Sequence, residues 1–386
     1  MRSFVLAALV ALSAAAPAHV LFMIDGAPEW HSVMSALPKA DVYMRMTPAG
    51  GSQPESAGAA SAMSTGCVGS RRAVSMQGVP LGLRAQRAGA ATGAVTNVCI
   101  TDPTVAAFFA TAPDRYNTAI LAASLRAANL DVSMGGASRL ILPPNATGDA
   151  CFPTSRAALV ASLGACPPHR PLMGVFGDAR TAMAAECLPL PYANDNRTRP
   201  TPLPSLRDMT RAALARLKAA YAGRPVFLVV GADRLDQAAH AGDADACKAE
   251  VAAAAATVNE TLSALSARLR ASEALVIVTG DHSTIMNTNN HSNRTVPVLI
   301  YGAGAVAAAE RAMGTPLTSA HLMRPPVIAS VDFPRLFPFF PNNDRRCSRE
   351  PSDDVLSTAI IATSAAALFI LVAVLFCKVL SRRKVE

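Results

Sequence analysis

The chain has 386 residues, 51% of them hydrophobic, with eight cysteines and a formal net charge of +8. Removing Arg2, Lys378, Arg382, Arg383 and Lys384 from its 35 basic residues and Glu386 from its 27 acidic ones leaves 30 and 26, a net charge of +4. That balance is too mild to suggest nucleic acid, and the length supports one large domain whose core need not depend on disulfides.

At the N-terminus, Arg2, an apolar run from Phe4 to Leu12 and small residues ending in Ala16-Pro17-Ala18 predict a secretory signal peptide over 1–18, cleaved after Ala16 or Ala18. The next run, "HVLFMI", predicts a strand that leads into Asp25-Gly26. "QPESAGAASAMSTGC", residues 53–67, has side chains small enough for a helix packed close against other backbone. Glu55 or Ser56 can cap its free amides, and such a helix start is also an anion site.

Further apolar runs follow at "ATGAVTNV", "PLMGVF", "PVFLVV", "ALVIVT" and "VPVLIYG", separated by helical periodicity over 205–221 and 245–270. The alternation predicts an α/β fold with a largely parallel central sheet and helices on both faces. Residues 141–204, rich in Pro and Cys and carrying two sequons, are expected to form an excursion over the surface. Sequons at Asn145, Asn196, Asn259, Asn290 and Asn293 fit a lumenal or extracellular domain over 19–354. Seven cysteines lie in that part, so at least one has no partner within it, and Cys151 with Cys166 is a plausible pair. The uncharged stretch 355–377 is long enough for a transmembrane helix. Asp353 and Asp354 before it and the basic residues after it predict a single-pass type I protein with a cytoplasmic tail over 378–386.

Ligands of parallel α/β sheets bind at the carboxyl ends of the strands. Three runs end there in carboxylates and imidazoles. "HVLFMI" reaches Asp25, "PVFLVV" reaches "GADRLDQAAH", and "ALVIVTG" reaches Asp281-His282. Asp236 and His240 are four residues apart, on one helical face. His291 stands in a polar loop just before another strand, whereas His31, His169 and His321 lack such company. Mixed Asp and His ligands suit zinc, and two such ions can clamp the attacking and leaving oxygens of a phosphoryl group. A serine at a helix start would then be the nucleophile.

These residues resemble the alkaline phosphatase family over about residues 20–335. "FMIDG" resembles the family's first strand and metal aspartate, which implies Asp25 as a ligand. "ESAGAASAMSTG" resembles the segment of the nucleophile, which implies Ser56. "TDPTVAAFFA" is similar to the third-metal segment, implying Asp102 and Thr104 at a magnesium site. Arg115 follows at the family's spacing as the guanidinium that grips two phosphate oxygens. "DVSMGGASR" resembles the family's glycine-rich strand and turn. The resemblance further implies Asp236, His240 and His291 at the first zinc, and Asp25, Ser56, Asp281 and His282 at the second.

The implied activity is phosphate monoester hydrolysis through a phosphoserine, on small monoesters, with two zinc ions per chain. Some features depart from the family. Gly231 stands where the family has a magnesium-binding glutamate, and Asp233, two residues on, would lie about 6 to 7 Å further along if the strand continued. Glu55 replaces an aspartate before the nucleophile, and Gln237 stands at a position the family varies. Only nine positions separate His282 from His291, and the helix before the first strand is missing. Those parts commonly serve dimer contacts, so a homodimer is an open expectation. Two other readings stand beside the leading one: a phosphodiesterase or sulfatase of the same superfamily, and a cell-surface binding glycoprotein that has lost turnover. Asn290, next to His291, is expected to be unmodified.

Overall fold

Strand register decides where this chain can place its chemistry. A computed structural model of the chain describes residues 16–49, 54–136, 141, 149–177, 190–195, 202–220, 222–340 and 347. The chain divides into two units, Met1–Cys347 and Ser348–Glu386. The second unit, with the expected membrane span 355–377 and tail, lies outside the described residues, as does most of the expected signal peptide. Among the described residues, no helix is long and apolar enough to cross a membrane.

Eleven strands are described: β1 (Ala18–Met23), β2 (Val42–Thr47), β3 (Ala91–Cys99), β4 (Val132–Gly136), β5 (Leu172–Phe176), β6 (Val226–Gly231), β7 (Ala274–Thr279), β8 (Ser283–Thr284), β9 (His291–Ser292), β10 (Val296–Tyr301) and β11 (Val327–Ala329). Nine form one sheet in the order β11-β2-β10-β7-β1-β6-β3-β4-β5, and β8 pairs with β9. Only β10 runs against the other strands of the large sheet. The fold is therefore α/β with a largely parallel central sheet.

Alternate residues of β1 point to opposite faces. Leu21 and Met23 enter one core with Ala57, Ala60, Phe109 and Phe333, while Val20 and Phe22 enter the other with Met209, Leu217 and Val258. Both faces are covered, which is why the central strands read as unbroken apolar runs. The helix Ser56–Thr65 packs against Pro103–Ala106 and the 3-10 segment Ser330–Leu336, and nine of its ten residues are buried. Its alanines and serines permit that closeness. Gly66 ends it at φ +76°, where a Cβ would lie 2.9 Å from the Phe340 ring.

One expectation needs correction. Residues 141–204 are not all surface excursion, because besides β5, which the run "PLMGVF" marked and which pairs with β4 as an edge strand, they contribute the Arg156–Ala165 helix. The density of Pro and Cys there hides regular structure that the Cys151–Cys166 disulfide helps to hold. Ala18 begins β1, and its amide donates to Glu273 O at 2.8 Å. A second disulfide joins Cys67 to Cys347 across 280 residues, Cys99 is disulfide-bonded too, and Cys247 is a buried free thiol.

His19 is not a surface residue. It is 8% exposed, edge-on to Phe337 and Phe339, and neither ring nitrogen has a hydrogen-bond partner. Burial, then the charges of Arg311 and Arg268, lower its pKa to about 4. That value lies below the ordinary one of about 6.5, so in the interval between them the unfolded chain binds the extra proton. The neutral ring's contribution is complete above about pH 6.5 and is lost as pH falls through about 4, a change of about 3 kcal/mol at most. Urea unfolding over that interval should show a shallower loss of stability in His19→Phe than in the wild type. Identical slopes would contradict this assignment.

Candidate metal centre

The register of the central strands carries three carboxylates to one level. Met23 of β1 pairs with both Gly231 of β6 and Thr279 of β7, and Gly231 pairs with Thr96 of β3. Asp25, Asp233 and Asp281 each come two residues after that row. All three are nearly inaccessible, at 3%, 2% and 0% exposure.

Two groups of ligand atoms result. Asp236, His240 and His291 each offer an atom within 4.8 Å of the others, and so do Asp25, Asp281 and His282. The helix Arg234–His240 puts Asp236 and His240 on one face, with their side chains 3.3 Å apart. The rings of His282 and His291 stack at 3.9 Å, so the two groups adjoin.

The histidine tautomers identify what the first group is built for. His240 Nδ1 lies 2.5 Å from Thr288 O and His291 Nδ1 lies 2.7 Å from Pro54 O. Each carbonyl can only accept, so each Nδ1 carries the hydrogen. In the neutral rings both Nε2 atoms are then lone pairs, and they face each other at 3.0 Å. Two such lone pairs repel unless a cation lies between or beside them. Outer hydrogen bonds of this kind are the usual support of metal-ligating histidines. Thr284 Oγ1 donates to Asp236 Oδ1 and holds the third member.

The second group makes the same point through its orphans. Asp25 Oδ1, Asp281 Oδ2 and His282 Nδ1 are buried with no hydrogen-bond partner. Burial raises the Asp281 carboxyl to about 7, and burial with the Asp281 charge holds Asp25 well above the carboxylate range. Burial lowers His282 to about 3. Neutral imidazoles beside carboxylates that cannot all ionise together fit divalent cations.

Ser56 is the first residue of its helix, and its Oγ lies 3.0 Å from His282 Nε2. Glu55 is the cap. Its Oε2 accepts from the amides of Gly58 and Arg72 at 3.2 and 3.3 Å, and its Oε1 forms an ion pair with Arg115. The longer carboxylate thus caps the helix and holds the guanidinium at once. Thr104 Oγ1 donates to Asp25 Oδ2 at 2.8 Å, and Asp102 accepts from the Thr104 amide at 3.2 Å. Ser56, Asp102, Arg115 and the first ligand group border one cleft of about 490 Å³, with Thr104, Asp281 and His282 buried behind it. Asn290 also borders this cleft.

Some contributors were not marked by the sequence reading. Thr96 donates to Asp233 Oδ2 at 2.6 Å, and Asn97 Oδ1 accepts from the amides of Asp233 and Arg234 at 2.9 and 3.1 Å. Thr96 belongs to the row of paired residues and Asn97 follows it, near the end of β3, and that position was their available signal. Gly26 matters through its missing side chain. At φ +61°, a Cβ would overlap Asp236 Oδ1 and lie 2.5 Å from Thr284 Oγ1. Gly26→Ala should push Asp236 out of its group and weaken metal binding roughly 10- to 100-fold while leaving circular dichroism unchanged. Metal titration calorimetry checks this, and unaltered affinity would contradict it.

A family model for alkaline phosphatase matches residues 150–322. Comparison with curated proteins finds no match. Among solved structures, alkaline phosphatase from Thermus thermophilus is similar, with 17% identity and a TM-score of 0.68 over 91% of this chain and 96% of that one. Alkaline phosphatase from the Antarctic bacterium TAB5 has 18% identity and a TM-score of 0.62 over 83% of this chain and 97% of that one. A mutant of the TAB5 enzyme, with Mg bound in its M3 site, matches with the same identity and TM-score over 84% of this chain and 98% of that one. At these identities the structural likeness is one of fold. The family-model match covers less than half of the chain, and together with that likeness it shows an alkaline-phosphatase-like fold.

Proposed function

We propose that this member of the alkaline phosphatase superfamily of hydrolases is a phosphate monoesterase that works through a phosphoserine on Ser56. The observation that carries the reading is Ser56 Oγ at a helix start, 3.0 Å from His282 Nε2, beside the opposed His240 and His291 nitrogens. Zinc held by Asp236, His240 and His291, and by Asp25, Ser56, Asp281 and His282, would supply the Lewis acidity that makes a hydroxyl acidic near neutral pH and stabilises charge on the attacking and leaving oxygens.

The chain's own groups do the positioning. The rigid, buried helix fixes Ser56 in the base of the cleft, so attack on phosphorus needs little further ordering. The planar guanidinium of Arg115 can bind two phosphoryl oxygens, and Glu55 orients it from behind. The Asp102 and Glu55 charges raise the Arg115 pKa against the opposing effect of burial, so its charge persists at any working pH. Hydrolysis of the phosphoserine by water then returns the serine.

We further propose an extracellular or lumenal location on a single-pass anchor. The Cys67–Cys347 and Cys151–Cys166 disulfides favour an oxidising compartment, and the uncharged stretch 355–377 is of spanning length. Protease added to sealed membrane vesicles whose cytosolic face points outward should then spare the activity, whereas its loss would contradict the location.

Rates on a chromogenic phosphate monoester and on the matching diester, from about pH 6 to 10 with zinc supplied, test the activity. Monoester turnover should exceed diester turnover and rise above about pH 8. Ser56→Ala should lose roughly a thousandfold or more of it while keeping its metal. Faster turnover of the diester, or full turnover by Ser56→Ala, would overturn the reading.

A further inference from the structure

Gly231 removes a carboxylate from the end of β6, yet the space it vacates is filled by another. A Cβ on Gly231 would lie 2.7 Å from Asp233 Oδ1 and closer still to Asp233 Oδ2 and to Val105 Cγ2. The Asp233 side chain therefore folds back over the glycine and takes the room that a side chain at 231 would occupy. This differs from the position expected two residues along a continuing strand, and the backbone explains why. β6 ends at Gly231, and Asp233 has φ −85° and ψ −11°, in the helical region. Asn97 Oδ1 accepts from the amides of both Asp233 and Arg234 and holds that turn. The chain turns instead of extending, so the carboxylate comes back.

Asp233 is 2% exposed and borders the same cleft as Asp25, Asp102 and Ser56. Its Oδ2 accepts from Thr96 Oγ1, but its Oδ1 has no hydrogen-bond partner. An ionised oxygen buried without a partner is costly unless a cation meets it. The neighbouring donors on this side are oxygens. Thr104 Oγ1 reaches Asp25 Oδ2, and Asp102 accepts from the Thr104 amide. Oxygen donors suit a hard cation such as magnesium, in contrast to the imidazoles of the two other groups.

We propose that Asp233 is the carboxylate ligand of a third, oxygen-coordinated divalent cation, shared with Thr104 and Asp25, and that Gly231 is glycine because this carboxylate needs its space. The inference rests on the metallohydrolase reading of the same site, and the test separates the two.

The purified protein is dialysed to equilibrium against zinc and magnesium, and bound metal is measured by elemental analysis, together with the rise in melting temperature on adding magnesium. The wild type should hold about two zinc ions and about one magnesium ion per chain. Asp233→Asn, almost the same size, should keep zinc, lose the magnesium and lose the magnesium-dependent rise. Gly231→Ala gives a second reading, because its methyl presses on the Asp233 carboxylate and on Val105, the neighbour of Thr104. It too should keep zinc and lose magnesium. Magnesium bound equally by wild type and both variants, or by none of them, would overturn the inference while leaving the zinc reading intact. Absence of zinc from the wild type would overturn the reading on which it rests.

Discussion

Parallel pairing of β1 with β6 and β7 is the constraint on which the rest of this structure depends. Hydrogen-bonded register sets Met23, Gly231 and Thr279 side by side, so the strands end together and the residues that follow emerge at one depth. A slip of one residue would turn every side chain of a strand to the opposite face. It would also move Asp25 or Asp281 out of the group it forms with His282. The buried apolar faces that hold register thus also hold the ligand geometry. Remote core residues such as Phe22 and Val229 serve the site without approaching it.

That arrangement concentrates negative charge where water is scarce. Asp25, Asp233 and Asp281 are almost wholly buried, and each has an oxygen without a hydrogen-bond partner. Such a cluster is unstable as a set of free carboxylates and becomes favourable when cations enter it. The opposed Nε2 atoms of His240 and His291 express the same demand through lone pairs. The small side chains of Ser56–Thr65 complete the design by letting a helix start reach into this crowded region.

Much of this was legible in the sequence. Six apolar runs read as strands became β1, β3, β5, β6, β7 and β10, and the helical stretch 245–270 became Ala244–Ala264 followed by Ser266–Arg270. Strand ends falling on Asp25, Asp236 and Asp281-His282 pointed to metal chemistry before any fold was known. β2 was missed because it is half-buried and alternates, with Tyr43 and Arg45 on its partly exposed side. Asp102, Thr104 and Arg115 came from family resemblance, since nothing local distinguishes them from an ordinary cap and a solvated arginine. Asp233 was placed too far along because its position depends on Asn97, 136 residues earlier, and no local pattern carries that contact. The role of Gly26 was hidden for the same reason, as it depends on the distant Asp236 and Thr284.

The central claim is that this scaffold exists to present Ser56 as a nucleophile to phosphorus. The most direct measurement is acid quenching of the protein during turnover of a phosphate monoester, followed by mass spectrometry of its peptides. The account predicts one phosphoryl group on the peptide that contains Ser56, and none in Ser56→Ala. Turnover with no phosphopeptide, or with the phosphoryl group on another residue, would contradict it.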